Sequence, residues 1–202
     1  DIGNHRDAAD LVSVSIDSLD PVTYGRLRGR ADALAKVLSG LELAAAGYAG
    51  GRGPLLVVNC VLCDMNVDEA GRIAAMAAGL GAGVSFEPVL AQDAADCPAL
   101  TRDIRDVGRM LLEVRERYRN VKNSRLYLES LASGRRPHCM ADAVVRVGPD
   151  GTVTGPCMDH PGRKELGSVT ADGLDNILAS DGWGECARMG ADCTREDCWM
   201  AC

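Results

Sequence analysis

The distribution of cysteine limits what this 202-residue chain can fold into more than any other feature. Six of its nine cysteines lie between Cys139 and Cys202. Nine is a high number for a cytosolic protein, whereas disulfide frameworks are typical of shorter chains with an even cysteine count and a secretory signal. No basic segment followed by an apolar one occurs at the start. We therefore interpret the C-terminal cysteines as reduced metal ligands, and we expect a cytoplasmic protein.

Composition excludes several functional classes. Hydrophobic residues make up 47% and charged residues 25%, as in ordinary globular proteins. The formal net charge of −7 argues against binding to nucleic acid or to an anionic membrane surface, since both need a basic face. No apolar run approaches the ~20 residues that span a bilayer. The arginines between 102 and 119 alternate with acids, which favours a solvated, ion-paired helix face over a nucleic-acid patch.

Residues 1–98 alternate apolar strands with amphipathic helices. Parallel βαβ units show this pattern, and continuous apolar strands predict a sheet that is covered on both faces. Strands are predicted at 11–17, 55–62 and 83–90. Asp20-Pro21 begins one helix, and Asn66 with Glu69 predicts a capping box for the next. Three such units form half of a barrel or of an open sheet, and periodicity leaves both possible.

The rest of the chain divides into a connection and a small second domain. Residues 99–135 are predicted to be helical, with Thr101 as a candidate cap. Residues 136–202 contain a hairpin around Asp150-Gly151, a short helix at 174–179 and a cysteine loop with little regular structure. The apolar content of this domain is too low for a core of its own, so we expect a metal to stabilise it.

The cysteine spacing leaves the metal open. The candidate ligands are Cys139, Cys157, Cys186, Cys193, Cys198 and Cys202. Zinc sites usually contain pairs separated by two residues, which none of these gaps provides, whereas iron–sulfur clusters accept more varied spacing. Thiolate suits both metals, and unrelated cysteines remain a third alternative. Cys60 and Cys63 have C-x2-C spacing, but they end a buried strand and we interpret them as core residues.

Three strand ends resemble those of radical S-adenosylmethionine (SAM) enzymes. The similar segments are Val14–Asp20 with Arg28-Gly29, Val58–Leu62 with Asn66, and Phe86–Pro88, which correspond to the family's fourth, fifth and sixth strands. The tail resembles the SPASM domain, which carries auxiliary iron–sulfur clusters. Its similar features are Cys139, Asp150-Gly151, Pro156-Cys157, Leu166–Val169 and Cys198-x3-Cys202.

The resemblance implies an α/β fold in which the C-terminal half of a partial (β/α)6 TIM-like barrel precedes a small cysteine-rich α+β domain of SPASM or twitch type. Residues 1–98 would supply barrel strands four to six, 99–135 the helical connection and 136–202 the cluster domain. The implied activity is cleavage of SAM to a 5′-deoxyadenosyl radical, which abstracts hydrogen from a substrate. A peptide or protein is one substrate class of the family, and a reducing electron donor is a further expected partner.

The resemblance also implies site residues. Ser15, Asp17 and Asn59 match positions that face SAM at the strand ends, where ligands of parallel barrels bind. Their structural alternative is to cap a neighbouring loop or helix. Cys139, Cys157 and Cys202 would hold an inner auxiliary 4Fe-4S cluster, and Cys186, Cys193 and Cys198 an outer one. A single four-cysteine cluster is the alternative.

Two departures from the family pattern limit these expectations. The C-x3-C-x2-C loop that holds the SAM-cleaving cluster is absent, as are the first three strand–helix units. The tail gaps are six, four and three residues, where the family has two, five and three. We therefore expect a chain that is truncated at both ends and does not cleave SAM alone. A non-catalytic binding module stabilised by zinc or iron–sulfur is the alternative, and an ordinary lysine-dependent barrel enzyme is a third.

Overall fold

A computed structural model describes residues 9–30, 32–48, 53–89, 99–135, 144–157, 160, 162–193 and 198. The described residues form two compact units. The first contains those up to residue 135 together with 198, and the second contains those from 144 to 193. Within the described part, none of the helices combines the length and the apolar character that crossing a bilayer requires.

The first unit is a mixed α/β structure built on a parallel sheet. Its strands are β1 (Leu11–Ser15), β2 (Leu55–Leu62) and β3 (Gly83–Pro88), in the order β1-β2-β3. Its helices are α1 (Pro21–Arg28), α2 (Ala33–Tyr48), α3 (Ala70–Gly79), α4 (Ile104–Arg117) and α5 (Arg125–Ser133). The predicted strand at 55–62 is observed with the same ends, while the other two strands are two residues shorter than predicted.

The two faces of this sheet differ sharply. One face packs Val58, Leu62 and Phe86 into a core shared with α2 to α5. On the other face Ser15 and Asn59 are exposed. The prediction of a sheet covered on both faces is therefore wrong for the described residues. Right-handed crossovers between strands in consecutive order place every connecting helix on the same face, so the opposite face has no helix of its own.

The outer edge of β3 is completed by a segment that follows α4. The N–H of Val84 donates to the Asn120 carbonyl at 3.0 Å, and the N–H of Lys122 donates to the Val84 carbonyl at 2.8 Å. Farther along, the Asn123 side chain accepts from the Phe86 N–H and donates to the Phe86 carbonyl, both at 2.8 Å. These bonds replace part of the ladder that a fourth strand would provide.

The first residues of the helices show which of the predicted caps are present. The Asp20 carboxylate accepts from the Thr23 N–H at 2.7 Å with Pro21 at the first position of α1, as predicted. The predicted capping box at Asn66 and Glu69 is wrong, because the Asn66 side chain makes no cap bond. Both side chains instead bond across the fold, which a local pattern cannot show.

The predicted cap at Thr101 is also wrong. Asp103 caps α4 through the Arg105 N–H at 2.9 Å. Thr101 donates its hydroxyl to Asp64 at 2.8 Å instead, and this bond lowers the pKa of the Asp64 carboxyl. Residues 101 and 64 lie 37 positions apart, so the partner that displaces the cap is a tertiary one.

The second unit is an antiparallel sheet with two helices. Its elements are β4 (Arg146–Val147), β5 (Thr152–Gly155), β6 (Lys164–Ser168), α6 (Leu174–Leu178) and α7 (Asp181–Ala191). The predicted hairpin around Asp150-Gly151 is present. The prediction of little regular structure after α6 is wrong, since Ser180 caps α7 by accepting from the Trp183 N–H at 3.2 Å. Strand β6 was not predicted, and it begins at a lysine, Lys164.

Candidate functional site

A row of polar side chains crosses the open face of the parallel sheet near its C-terminal edge. Ser15 pairs in register with Asn59, and Asn59 pairs with Ser85 on the next strand. Ser15 and Asn59 are exposed. Within the described part of the chain, neither side chain makes a hydrogen bond. Two of the three predicted SAM-facing residues thus present unused polar groups on one face.

Asp17, the third predicted residue, is buried and bound to its own chain. One carboxylate oxygen accepts from the Val61 N–H at 2.8 Å, and the other lies 2.5 Å from the Arg28 Nε. The first bond ties the end of β1 to β2. The second holds the guanidinium of Arg28, the last residue of α1, at the same sheet edge. Asp17 therefore acts as a positioning group for Arg28.

A small cavity opens beside this ion pair, with a volume of about 180 Å³. It is lined by Asp17, Leu27, Arg28, Val61, Cys63 and Val89. Its polar lining comes from Asp17 and Arg28, and the other side chains are apolar or thiol. The sequence analysis gave Arg28 no role. The signal available was an arginine directly before Gly29, which adopts the left-handed conformation that ends α1.

Asn66 joins the ends of two strands beneath this cavity. Its side-chain oxygen accepts from the Cys63 N–H at 2.7 Å. Its amide nitrogen donates to the carbonyl of Asp17 at 2.7 Å and to that of Val61 at 2.8 Å. Both amide hydrogens and the side-chain oxygen are bonded inside the protein, and Asn66 is buried, so its role is to fix the geometry of the edge.

Glu69 has the corresponding role for the loop after β1. It accepts from the Ser18 hydroxyl at 2.5 Å and from the Leu19 N–H at 2.9 Å. Because this loop leads into α1, the bonds from Glu69 help to set where α1 begins. Sequence reasoning assigned Glu69 only to a helix cap.

Two buried cysteines lie near the C-terminal end of β2. Cys60 belongs to the hydrophobic core, as predicted, and burial raises its pKa well above the usual range. Cys63 is also buried, and burial raises its pKa as well. Both side chains are therefore held as neutral thiols at neutral pH, which is the unreactive form.

The open face also carries one carboxyl group in an unusual state. Glu87 pairs in register with Val61 and is half-buried. Burial raises the pKa of this carboxyl above its ordinary value. Carboxyl groups with a raised pKa at strand ends are candidates for proton transfer, although ordinary burial produces the same effect. The sequence analysis treated Glu87 only as part of the resemblance.

In the second unit, one cysteine lies against the end of the hairpin. A Cβ built on Gly155, the last residue of β5, would fall 3.2 Å from the Sγ of Cys186. Cys157 follows two residues later and is partly exposed. The thiol of α7 therefore lies beside the chain that leads to Cys157. Burial raises the pKa of Cys186.

Cys193 and Cys198 are the other predicted ligands among the described residues. Cys193 follows the end of α7 and is partly buried, as is Cys198. Cys139 and Cys202 lie outside the described residues. Within the described ranges, no three histidine, cysteine, aspartate or glutamate side chains form a group that could hold a metal ion.

His160, near Cys157, already uses one ring nitrogen. Its Nδ1 accepts from the Gly162 N–H at 2.9 Å, so in this arrangement Nδ1 stabilises a turn. The neutral ring then carries its proton on Nε2. His160 is thus a structural residue of the loop between β5 and β6.

Comparison with known proteins gave no match for this chain. No protein-family model matches the chain, and no curated protein sequence matches it either.

Proposed function

We propose that this chain is part of a radical SAM oxidoreductase or maturase whose second unit binds auxiliary 4Fe-4S clusters. The observation that carries the proposal is the approach of the Cys186 thiol to the end of β5, next to Cys157. This approach occurs in the second unit. Among its described residues, the buried hydrophobic side chains are only Val153, Ile177 and Cys186. A unit with so little apolar burial needs another source of stability, and a metal cluster provides one.

The donor set in the second unit fits a soft metal. Gly155 leaves open the space beside Cys186 that a Cβ would fill, so the thiol and the end of the hairpin lie side by side. Cys157, Cys186 and Cys193 of this unit would be ligands, and the resemblance to the SPASM domain assigns the same role to Cys139, Cys198 and Cys202. Auxiliary iron–sulfur clusters supply electron transfer or a site for substrate at iron. The chain's own contribution is to deliver thiolates from a hairpin end and from a helix.

The parallel sheet would contribute the SAM-facing edge. Ser15 and Asn59 present polar groups on the open face, and Asp17 holds Arg28 at the rim of the cavity. The radical chemistry of the family requires a C-x3-C-x2-C loop, which the 202 residues lack, so this chain alone is not expected to cleave SAM. A peptidyl substrate and a reducing electron donor are the partners that go with this proposal.

Anaerobic reconstitution with iron and sulfide tests the proposal. The loaded chain should show a broad absorption band near ~400 nm and contain iron and sulfide in equal amounts. Cys157→Ala and Cys186→Ala should each reduce the iron content. Cys97→Ala is the matched control, because Cys97 is isolated in sequence from the tail cysteines, and it should leave the iron content unchanged.

The competing proposal is a non-catalytic module stabilised by zinc. It is favoured by the absence of a SAM-cleaving motif and by the small hairpin-and-helix form of the second unit. It predicts about one zinc per chain in a colourless protein. A colourless protein that is folded without any metal would remove both proposals.

A further inference from the structure

Another cavity of the first unit lies at the opposite end of the sheet from Asp17. Its volume is about 380 Å³, and it opens where β2 and β3 begin, at Leu55 and Gly83. Small-molecule sites commonly have volumes of roughly 300–1,000 Å³. We refer to it as the basal cavity. Three of its lining side chains are cationic, Arg117, Arg119 and Lys122, and none is acidic.

These cations differ from several other arginines of the same region, although Arg115 also lacks a carboxylate partner and donates to the Asn123 carbonyl instead. Arg102 pairs with Asp68, Arg109 with Asp106 and Arg125 with Glu129. By contrast, Arg117, Arg119 and Lys122 have no carboxylate partner within the part of the chain that the structure describes. The predicted ion-paired face is therefore present around α4 but stops where the basal cavity begins.

The dipole of α4 explains the position of only one of these three cations. A cation is favoured at a helix C-terminus, and Arg117 is the last residue of α4. Arg119 and Lys122 follow the helix and gain little from its dipole. Arg117 also lies over the Tyr118 ring, with its guanidinium carbon 5.4 Å from the ring centroid. In a chain with a net charge of −7, three cations without a carboxylate partner around one cavity form a positively charged local site.

The backbone holds this cluster in place. Lys122 donates its N–H to Val84, and a Cβ on Gly83 would lie 2.5 Å from the Lys122 Cε. Glycine at 83 thus lets the lysine stem cross the start of β3. The position of Lys122 is fixed by strand pairing and by this close approach, and not by an ion pair.

Asn120 holds one wall of the basal cavity in place. Both amide hydrogens of Asn120 are used, at 3.1 Å to the Ala74 carbonyl and at 3.0 Å to the Ala82 carbonyl. Its Oδ1 is buried and has no hydrogen-bond partner in the described part of the protein. Since the amide cannot be flipped without losing both bonds, the side chain has one fixed orientation, and its buried oxygen is not available to a ligand in the open cavity. Asn120 lines the basal cavity and ties the segment after α4 to the residues before β3.

We propose that the basal cavity binds a small sugar phosphate, with the phosphate on Arg117, Arg119 and Lys122 and the sugar ring against Tyr118. Arginine forks match phosphate oxygens, and lysine adds a point charge. The cavity is larger than phosphate alone requires, and Tyr118 supplies an apolar surface for the sugar ring. Nucleic acid would use the same charges, so a single-stranded oligonucleotide is the competing ligand in the test.

Titration of the full chain with ribose 5-phosphate, followed by backbone amide NMR, tests the site. We expect saturable shifts at Gly81, Gly83 and Arg119 with a Kd below about 1 mM, and no shifts at Val61 or Cys63 at the other end of the sheet. Inorganic phosphate should bind more weakly, and ribose should not bind. This outcome is independent of iron and of SAM.

Lys122→Met keeps the stem that crosses Gly83 but removes the charge. It should weaken binding of ribose 5-phosphate by about tenfold, as should Arg119→Gln. Arg109→Gln, on the paired part of α4, is the matched control and should bind as the wild type does. The proposal is overturned if ribose 5-phosphate does not saturate by about 10 mM, or if the two variants bind like the control. Equal binding of inorganic phosphate, or tighter binding of a single-stranded oligonucleotide, would also overturn it.

Discussion

The two units of this chain differ in what their interiors are made of. The first gathers 23 buried side chains around three parallel strands and five helices. In the second, the buried hydrophobic side chains of the described residues are Val153, Ile177 and Cys186. Apolar burial stabilises a fold in proportion to area, so the first unit has its own source of stability and the second has little. Six of the nine cysteines lie in the last third of the sequence, between Cys139 and Cys202.

Removal of metal should produce the largest difference in hydrogen-exchange protection between the two units. If iron or zinc supplies the missing stability, a chelator added to the loaded protein should abolish amide hydrogen-exchange protection across β5, β6 and α7. Protection across β2 and β3 should persist, because their core contains no ligand that we predict. Hydrogen exchange read by mass spectrometry measures both regions in one experiment.

The control is the same chelator added to a chain that was never loaded with metal. Its second unit should already exchange rapidly, and the chelator should change nothing. Full protection of β5 and α7 without metal would show that three buried side chains suffice, and the contrast between the units would then need another explanation.

Truncation of the first unit's core should have the next largest effect. Phe86 is fully buried between the sheet and the helices, so Phe86→Ala should lower the free energy of unfolding by about 3–5 kcal/mol. Denaturant unfolding measures this change. Val22→Ala on exposed α1 is the control, with an expected change of less than about 0.5 kcal/mol. A cost for Phe86→Ala near the control value would mean that the core is not closely packed.

Loss of buried hydrogen bonds in the first unit should lower the free energy of unfolding nearly as much as the truncation of Phe86. Asn66→Ala removes three hydrogen bonds and leaves the Cys63 N–H and two carbonyls buried without partners. We expect a loss of roughly 3 kcal/mol in denaturant unfolding. Asn176→Ala is the matched control, since Asn176 is exposed and makes one bond, to the Asp172 carbonyl. Similar losses for both variants would contradict the structural role of Asn66.

Asn66 also shows where sequence reasoning fails. Its position before a helix, three residues ahead of Glu69, has the form of a capping box, and that prediction is wrong. Strand β2 was predicted to the residue because its apolar run and its flanking turns are local signals. One partner of Asn66, the Asp17 carbonyl, and the Ser18 and Leu19 partners of Glu69 lie about fifty positions away in sequence, in the loop after β1. Only the folded sheet brings them together.

The candidate sites show the same difference between features that local sequence signals predict and features that only the folded chain creates. The polar row of Ser15 and Asn59 could be predicted, since parallel strands align their ends. The ion pair of Asp17 with Arg28 could not, because α1 must first fold back over the sheet edge. Helix α7 was missed because its three glycines and Cys186 have weak helix propensity, and its cap at Ser180 was overlooked.

A helix cap should have a smaller effect than the Asn66 change. Ser124 caps α5 by accepting from the Tyr127 N–H at 3.1 Å. Ser124→Ala should cost about 1 kcal/mol in the free energy of unfolding. Ser133→Ala at the other end of α5 is the control, because the Ser133 hydroxyl makes only exposed bonds: it donates to the Ser130 carbonyl and accepts a long bond, 3.4 Å, from the Arg135 N–H. Equal costs at both ends would mean that the cap bond contributes nothing.

The smallest effect that we expect concerns Glu87 on the open face, and it depends on pH. Burial raises the pKa of this carboxyl above its usual value of 4.5, so the fold favours the neutral acid. Below pH 4.5 the group is protonated in both the folded and the unfolded chain, and its contribution is fully present. As the pH rises through the folded-state pKa, that contribution is lost.

Glu87→Gln should therefore be slightly more stable than the wild type at pH 7, by less than the effect of the Ser124 cap. The difference should disappear below pH 4.5, where both side chains are neutral. Thermal unfolding across this pH range measures the change, with Glu42→Gln on the exposed face of α2 as the control. A Glu87→Gln variant that is less stable at pH 7 would show that the carboxylate makes a favourable contact on the open face. Glu87 would then belong with the groups that hold this sheet edge together, as Asp17 and Glu69 do.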